Sequence, residues 1–117
     1  MEIIYHNKKV EELSLDIKKA IKKLGKDVAE NLHKLINLLE SFSNLYDISM
    51  FPRYRFHLLK GDRKGQYSIT LSKNSKWRVI LYPLDEDGKI IIDFSNEKSA
   101  LIKSIKVEIM EVSQHYE

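Results

Sequence analysis

The spacing of apolar residues changes once along this chain, and that change limits the folds open to it. Up to residue 42 the spacing is helical. Val10, Leu13, Ile17, Ala20, Ile21 and Leu24 form one stripe, and Val28, Leu32, Leu35, Ile36, Leu39 and Phe42 form a second. Steps of three and four residues bring such side chains to one face of a helix, where a core can cover them. Asn7 is placed to cap the first helix, since its side-chain oxygen can accept from a free N–H of the first turn. Gly25 ends that helix, because glycine tolerates the left-handed conformation found at helix C-termini. Asp27 with Glu30 three residues on reads as a capping-box-like start to the second helix. A linker this short predicts an antiparallel helical hairpin.

From Ser43 onward the pattern is different. Asn44 to Pro52 is loop-like, and candidate strands follow at Arg55–Leu59, Gln66–Ser72, Trp77–Tyr82, Ile90–Phe94 and Ile105–Val112. Glu2–His6 is a plausible first strand. Tyr67, Ile69 and Leu71 alternate with polar neighbours, which is the pattern of an antiparallel strand with one buried face. In the last strand Val107, Ile109 and Glu111 alternate against Glu108, Met110 and Val112. Ser95 to Lys103 reads equally as a helical turn or a loop. Helices first and strands afterwards predict an α+β fold, with the N-terminal helical hairpin packed on one face of a mainly antiparallel sheet. At 117 residues the expectation is a single domain spanning 1–117.

Charge is distributed unevenly. Between residues 53 and 78 stand Arg53, Arg55, Lys60, Arg63, Lys64, Lys73, Lys76 and Arg78, against the single acid Asp62. The flanking segments are balanced or acidic, so the formal net charge is only +3. Clustered Lys and Arg attract polyanions and steer their encounter. Tyr54, Tyr67 and Trp77 lie among these charges, and cations interleaved with aromatic rings suit single-stranded RNA, whose phosphates pair and whose bases stack. For Trp77 and Tyr67 individually a core position is the simpler reading, because both fall on the inward register. The eight charges support RNA binding at least as well as they support a solvated face.

Other chemistries find less support. There is no cysteine, which excludes disulfides and thiolate catalysis. His6, His33, His57 and His115 are scattered without metal-ligand spacing, so no metal and no cofactor is expected, and His33 reads as a solvated residue beside Glu30 and Asn37. Lys60-Gly-Asp-Arg-Lys-Gly65 lacks the spacing of a nucleotide-binding loop and reads as a basic turn. No apolar run approaches the ~20 residues of a membrane span, and MEIIYHNKKV has no signal-peptide pattern, so a cytoplasmic protein without a membrane partner is expected. RNA cleavage requires a base for the 2′-hydroxyl, a donor to the leaving oxygen and cations at the phosphorane. An unperturbed imidazole already titrates near neutral pH, which suits His57 and His115 to the proton steps. Crowding by Arg63 and Lys64 could adapt Lys60 to such a step, although a phosphate clamp is its simpler role.

The run FHLLKGDRKGQYSITL, the KWRVIL that follows and the closing VEIMEVSQHY resemble the HigB-type killer proteins of the RelE/ParE toxin superfamily, over roughly residues 10 to 116. The resemblance implies a RelE-like α+β fold and a metal-independent endoribonuclease that cuts mRNA in the ribosomal decoding site. It implies a HigA-like helix-turn-helix antitoxin as partner, in a toxin–antitoxin hetero-oligomer. By position, Lys60 matches the catalytic-site lysine, His57 a polar residue beside it, and Arg78 the arginine that stabilises the transition-state phosphate. The ending departs from the family pattern, so the terminal catalytic tyrosine falls on His115, with Tyr116 beside it. Thr70 stands where relatives often carry a second active-site arginine. Arg53, Arg55, Arg63, Lys64, Lys73 and Lys76 are the expected RNA-binding residues. A ParE-like gyrase poison and a non-catalytic RNA-binding relative remain alternatives, since one scaffold hosts several activities.

Overall fold

The computed structural model describes residues 1–73, 76–92 and 95–114. The chain runs through β1 (Glu2–Tyr5), α1 (Lys8–Leu15), α2 (Ile17–Leu24) and α3 (Lys26–Ser41), then two 3₁₀ segments (Leu45–Met50 and Pro52–Tyr54). It continues through β2 (His57–Leu58), a 3₁₀ turn (Gly61–Arg63), β3 (Tyr67–Thr70), β4 (Trp77–Leu84), α4 (Glu97–Lys103) and β5 (Lys106–Gln114). The sheet order is β1-β5-β4-β3-β2, with β1 parallel to β5 and every other pair antiparallel. The expected α+β class is the one found. Leu32, Leu35 and Leu39 of α3 are fully buried in one core with Ile69, Val79, Leu81, Val107 and Ile109 of the sheet. Among the described residues no helix is long and apolar enough to cross a membrane.

The first helical stripe is divided between two helices. Asp16 terminates α1, its N–H donating to the Glu12 carbonyl at 2.8 Å, and its side chain then caps α2 by accepting from Lys19 N at 3.2 Å. Aspartate competes well for such free N–H groups, and this local gain overrides the continuity of the apolar spacing. As a consequence Ile17 and Ile21 stay 39% and 38% exposed, while Ala20 and Leu24 take the core positions. Gly25 alone joins α2 to α3, at φ 87 and ψ 161, a conformation open in practice only to glycine. The helix α3 therefore starts at Lys26, with Gly25 as its cap and no side-chain cap bond, so Asp27 does not take the capping role expected of it.

The second half differs from its pattern at identifiable points. The stretch expected as a loop after Asn44 forms 3₁₀ turns, with Asn44 Oδ1 accepting from Tyr46 N at 3.0 Å. The strand expected over Arg55–Leu59 is reduced to His57–Leu58, because Arg55 adopts the left-handed conformation (φ 46) and cannot join a ladder. Ile90 makes only an isolated bridge to Leu84, and residues 93 and 94 of the strand expected there lie outside the described residues. Asn96 caps α4, accepting from Ser99 N at 3.1 Å, which resolves the Ser95–Lys103 ambiguity in favour of a helix. His33 is half-buried, with Nε2 3.3 Å from the Leu13 carbonyl, rather than solvated.

The most consequential departure is in β5. Ile80 pairs with Glu111 and Leu81 with Ile109, so Met110 is an extra residue without a partner across the ladder. One inserted residue reverses the side-chain alternation beyond it. Val107 and Ile109 face the helices before the bulge and Val112 packs there after it, whereas strict alternation would have sent Glu111 into the core. The bulge turns Glu111 to the opposite face.

Tyr67 shows how tightly β3 is held. It is buried, it stacks on Phe56 at 4.7 Å between centroids and 7° between planes, and its hydroxyl donates to the Glu97 carboxylate. Burial pushes its phenol well above the ordinary tyrosine range, and the negative charge and hydrogen bond of Glu97 add to the shift.

Candidate nucleic-acid interface

Opposite residues of antiparallel strands present their side chains to the same face. Ser68 pairs with His57, and Thr70 pairs with Arg78. Ser68 and Thr70 are two apart on β3, so His57, Ser68, Thr70 and Arg78 share one face, opposite the helical layer. The Arg78 guanidinium lies 3.5 Å from Ser68 Oγ, which brings it towards the residue that His57 pairs with.

His57, Thr70 and Arg78 of this group line a cleft of about 1090 Å³ at the end of the sheet, with Ser68 buried behind them. Arg53, Arg55, His57, Lys73, Lys76 and Arg78 line it, with Trp77 and Thr70 beside them. None of its described lining residues is an Asp or Glu. Trp77 and Leu71 come from the helix-facing side of the ladder and Thr70 and Arg78 from the other, so the cleft wraps around the ends of β3 and β4. Concave walls that carry one sign of charge raise the local concentration of an oppositely charged ligand.

The wall formed by residues 52–55 is anchored from beneath. Pro52 starts the 3₁₀ turn, and Tyr54 is buried against the core. The Arg53 guanidinium sits over the Tyr54 ring at 4.7 Å, and its Nη2 donates to the Tyr54 hydroxyl at 3.0 Å. A cation held over an aromatic face is pre-oriented, so it loses less freedom when it meets a phosphate.

The basic turn has a different position. Lys60, Arg63 and Lys64 are exposed and do not line the cleft. A side chain at Gly65 would meet the Tyr82 ring, and the Arg63 guanidinium forms an ion pair with the Glu111 that the β5 bulge has turned to that face. The turn is thereby tied across the sheet towards β5. His115 and Tyr116 lie outside the described residues, and Gln114, the last residue of β5, pairs with Trp77.

Of the residues expected at the site, Arg53, Arg55, His57, Lys73, Lys76 and Arg78 thus share one cleft, and Lys60, Arg63 and Lys64 stand apart from it. Of the three aromatics, Tyr54 and Tyr67 are buried, and the half-buried Trp77 lines the cleft. Asn31 on α3 also lines the cleft and was not foreseen. It reaches the site only through the packing of α3 on the sheet, which leaves no local trace in the sequence. Among the described residues no group of three or more His, Asp or Glu side chains is placed to hold a metal ion.

A scan against protein-family models gives no match, and a search of curated proteins gives none. Among solved structures, the chain is similar to a YoeB/ParE toxin from Agrobacterium tumefaciens, with a TM-score of 0.49 and 14% identity, covering 99% of this chain and 100% of that one. It is similar also to the YoeB dimer from Staphylococcus aureus, with a TM-score of 0.49 and 13% identity, covering 99% of this chain and 98% of that one.

Proposed function

We propose that this protein is the toxin of a toxin–antitoxin pair and acts as a metal-independent endoribonuclease on mRNA at the ribosome. The observation that carries the reading is the cleft itself: five Arg and Lys side chains and one imidazole converge without a carboxylate among its described lining residues. The sequence resemblance to HigB-type toxins adds the reaction class, and Arg78 occupies the matching position.

The chemistry proposed is transfer within the RNA. His57 takes the proton of a 2′-hydroxyl as its oxygen attacks the adjacent phosphorus, and the new O2′–P bond forms as the P–O5′ bond breaks. The leaving O5′ receives a proton from His115, on which the family's terminal catalytic tyrosine falls by the resemblance, and Tyr116 beside it orients or stacks. The products are a 2′,3′-cyclic phosphate and a 5′-hydroxyl, so no oxidant, metal or second substrate enters the balance. Arg78 stabilises the extra charge on the phosphorane, a role in which one well-placed cation is worth about 10²–10³ in rate. Arg53, Arg55, Lys73 and Lys76 hold the flanking phosphates, and Trp77 stacks on a base. Lys60, set on the turn outside the cleft, contributes only to the long-range attraction of the RNA.

A HigA-like antitoxin would neutralise the protein in a hetero-oligomer. Expression without an antitoxin should halt growth, and primer extension on mRNA from arrested cells should show cuts aligned with codons. A gyrase poison would arrest growth with mRNA intact, and that result overturns the reading.

A further inference from the structure

We infer that Arg55 is a positioning residue whose left-handed backbone aims its carbonyl oxygen at His57 and fixes which imidazole nitrogen is free to take a proton. The inference rests on the nuclease reading above and concerns the same cleft.

Among the described residues Arg55 is the only non-glycine with positive φ, at φ 46 and ψ 43. L-residues with a Cβ adopt that region rarely, and such conformations persist where the surroundings enforce them. Here the enforcement is visible. Arg55 closes the 3₁₀ turn that starts at Pro52, its N–H donating to the Pro52 carbonyl at 3.1 Å. The preceding Tyr54 is buried, and its N–H donates to Phe51 O at 3.1 Å. The proline ring fixes φ at the start of the turn and Tyr54 anchors it, so the reversal of direction falls on Arg55.

That reversal presents the Arg55 carbonyl to the side chain two residues on, with His57 Nδ1 2.7 Å from the Arg55 oxygen. A carbonyl oxygen can only accept, so Nδ1 must carry the proton. In the neutral ring Nε2 is then the bare acceptor, held in a fixed orientation on an exposed side chain that lines the cleft. A free histidine favours the opposite tautomer, so the backbone contact has a measurable consequence. Glycine would take this conformation more readily. Arginine at the position also places a cation in the cleft, so side chain and main chain contribute separately.

The test uses the full chain, ¹⁵N-labelled on histidine, with His57→Gln to assign the His57 ring signals. Long-range ¹H–¹⁵N spectra of the wild type at alkaline pH should show Nδ1 protonated and Nε2 bare. Arg55→Gly, which keeps the backbone accessible and deletes the guanidinium, should retain this tautomer and kcat while raising KM for a short RNA. Arg55→Val, which disfavours the left-handed region, should mix the tautomers and lower kcat by about tenfold. A wild-type spectrum with Nε2 protonated overturns the inference, whatever the protein does to RNA, and so does an Arg55→Val variant that keeps both tautomer and kcat. If the tautomers behave as expected but no form cleaves RNA, the positioning stands and the nuclease reading fails.

Discussion

The cleft and the Lys60–Gly65 turn draw on one continuous basic stretch of sequence, yet the fold uses them differently. In the cleft Arg53 is laid on a buried tyrosine ring, and Arg78 projects from the long strand β4 onto a face shared with His57. Both cations stand on elements that the core holds rigid. The turn is exposed, and Arg63 is committed to an ion pair with Glu111 across the sheet. Equal density of charge along a chain therefore does not produce equal sites. A cation becomes part of a site when its backbone is anchored and its neighbours converge in space, whereas the same residue on a turn serves as a tether or a solvated charge.

The sharpest way to break this contrast is to remove one cation from each region and measure RNA cleavage. Arg78→Ala should lower kcat by about 10²–10³ and relieve growth arrest, because it removes the group proposed to stabilise developing charge. Lys60→Ala should leave kcat near the wild-type value and weaken only the overall encounter. Equal losses would merge the two regions into one site.

Salt dependence gives the next largest separation. Each phosphate neutralised on single-stranded nucleic acid contributes about 0.7 to the slope of log affinity against log salt. Arg53→Ala, Lys73→Ala and Lys76→Ala combined should therefore flatten the slope by about 2. The corresponding triple variant of Lys60, Arg63 and Lys64 should leave it almost unchanged. The measurement is fluorescence anisotropy of a short labelled RNA across a salt series.

A third comparison sets the shared support of the two regions against the regions themselves. The folded Tyr67 phenol holds its proton to higher pH than an unfolded tyrosine, because burial and then the Glu97 carboxylate raise it. Its protonated state is common to both forms below the ordinary tyrosine value of 10.0, so no stability is lost there. Above that value only the unfolded chain ionises, and stability should fall by about 1.4 kcal/mol per pH unit. Tyr67→Phe should remove its share of the alkaline loss in denaturant titrations and leave that of Tyr5, which burial also raises, at a cost near neutral pH of about 1 kcal/mol for the missing hydrogen bond.

The smallest effect belongs to the tether. Glu111 and Arg63 are 36% and 50% exposed, and a pair so screened is worth about 0–1 kcal/mol. Glu111→Gln should change the unfolding midpoint little and RNA cleavage not at all. A large loss of cleavage would show that the turn works with the cleft after all.

Much of the scaffold was legible in the sequence, because burial of one face imposes a period that can be read directly. The α3 stripe of Leu32, Leu35 and Leu39 and the alternation of Tyr67, Ile69 and Leu71 needed no tertiary information. The misread points are those where a local hydrogen bond or an inserted residue overrides the period. Asp16 caps inside an unbroken stripe, and Met110 reverses the strand that follows it. The second of these left a sign in the sequence, since strict alternation placed the charged Glu111 with Val107 and Ile109. The cleft was only partly legible. Its cations were recognisable as a cluster, but their sorting into hollow and turn depends on the left-handed Arg55, the anchoring of Tyr54 and the arrival of Asn31 from α3. The first is a local turn and the other two are contacts between distant parts of the chain, and periodicity reports neither kind.

The most direct test follows backbone amide signals by NMR while a short single-stranded RNA is titrated into the protein. The account predicts that shifts concentrate at residues 53–57 and 70–78, with Asn31 responding and Lys60–Gly65 nearly still. Shifts centred on Lys60–Gly65, or none at the cleft, would contradict it.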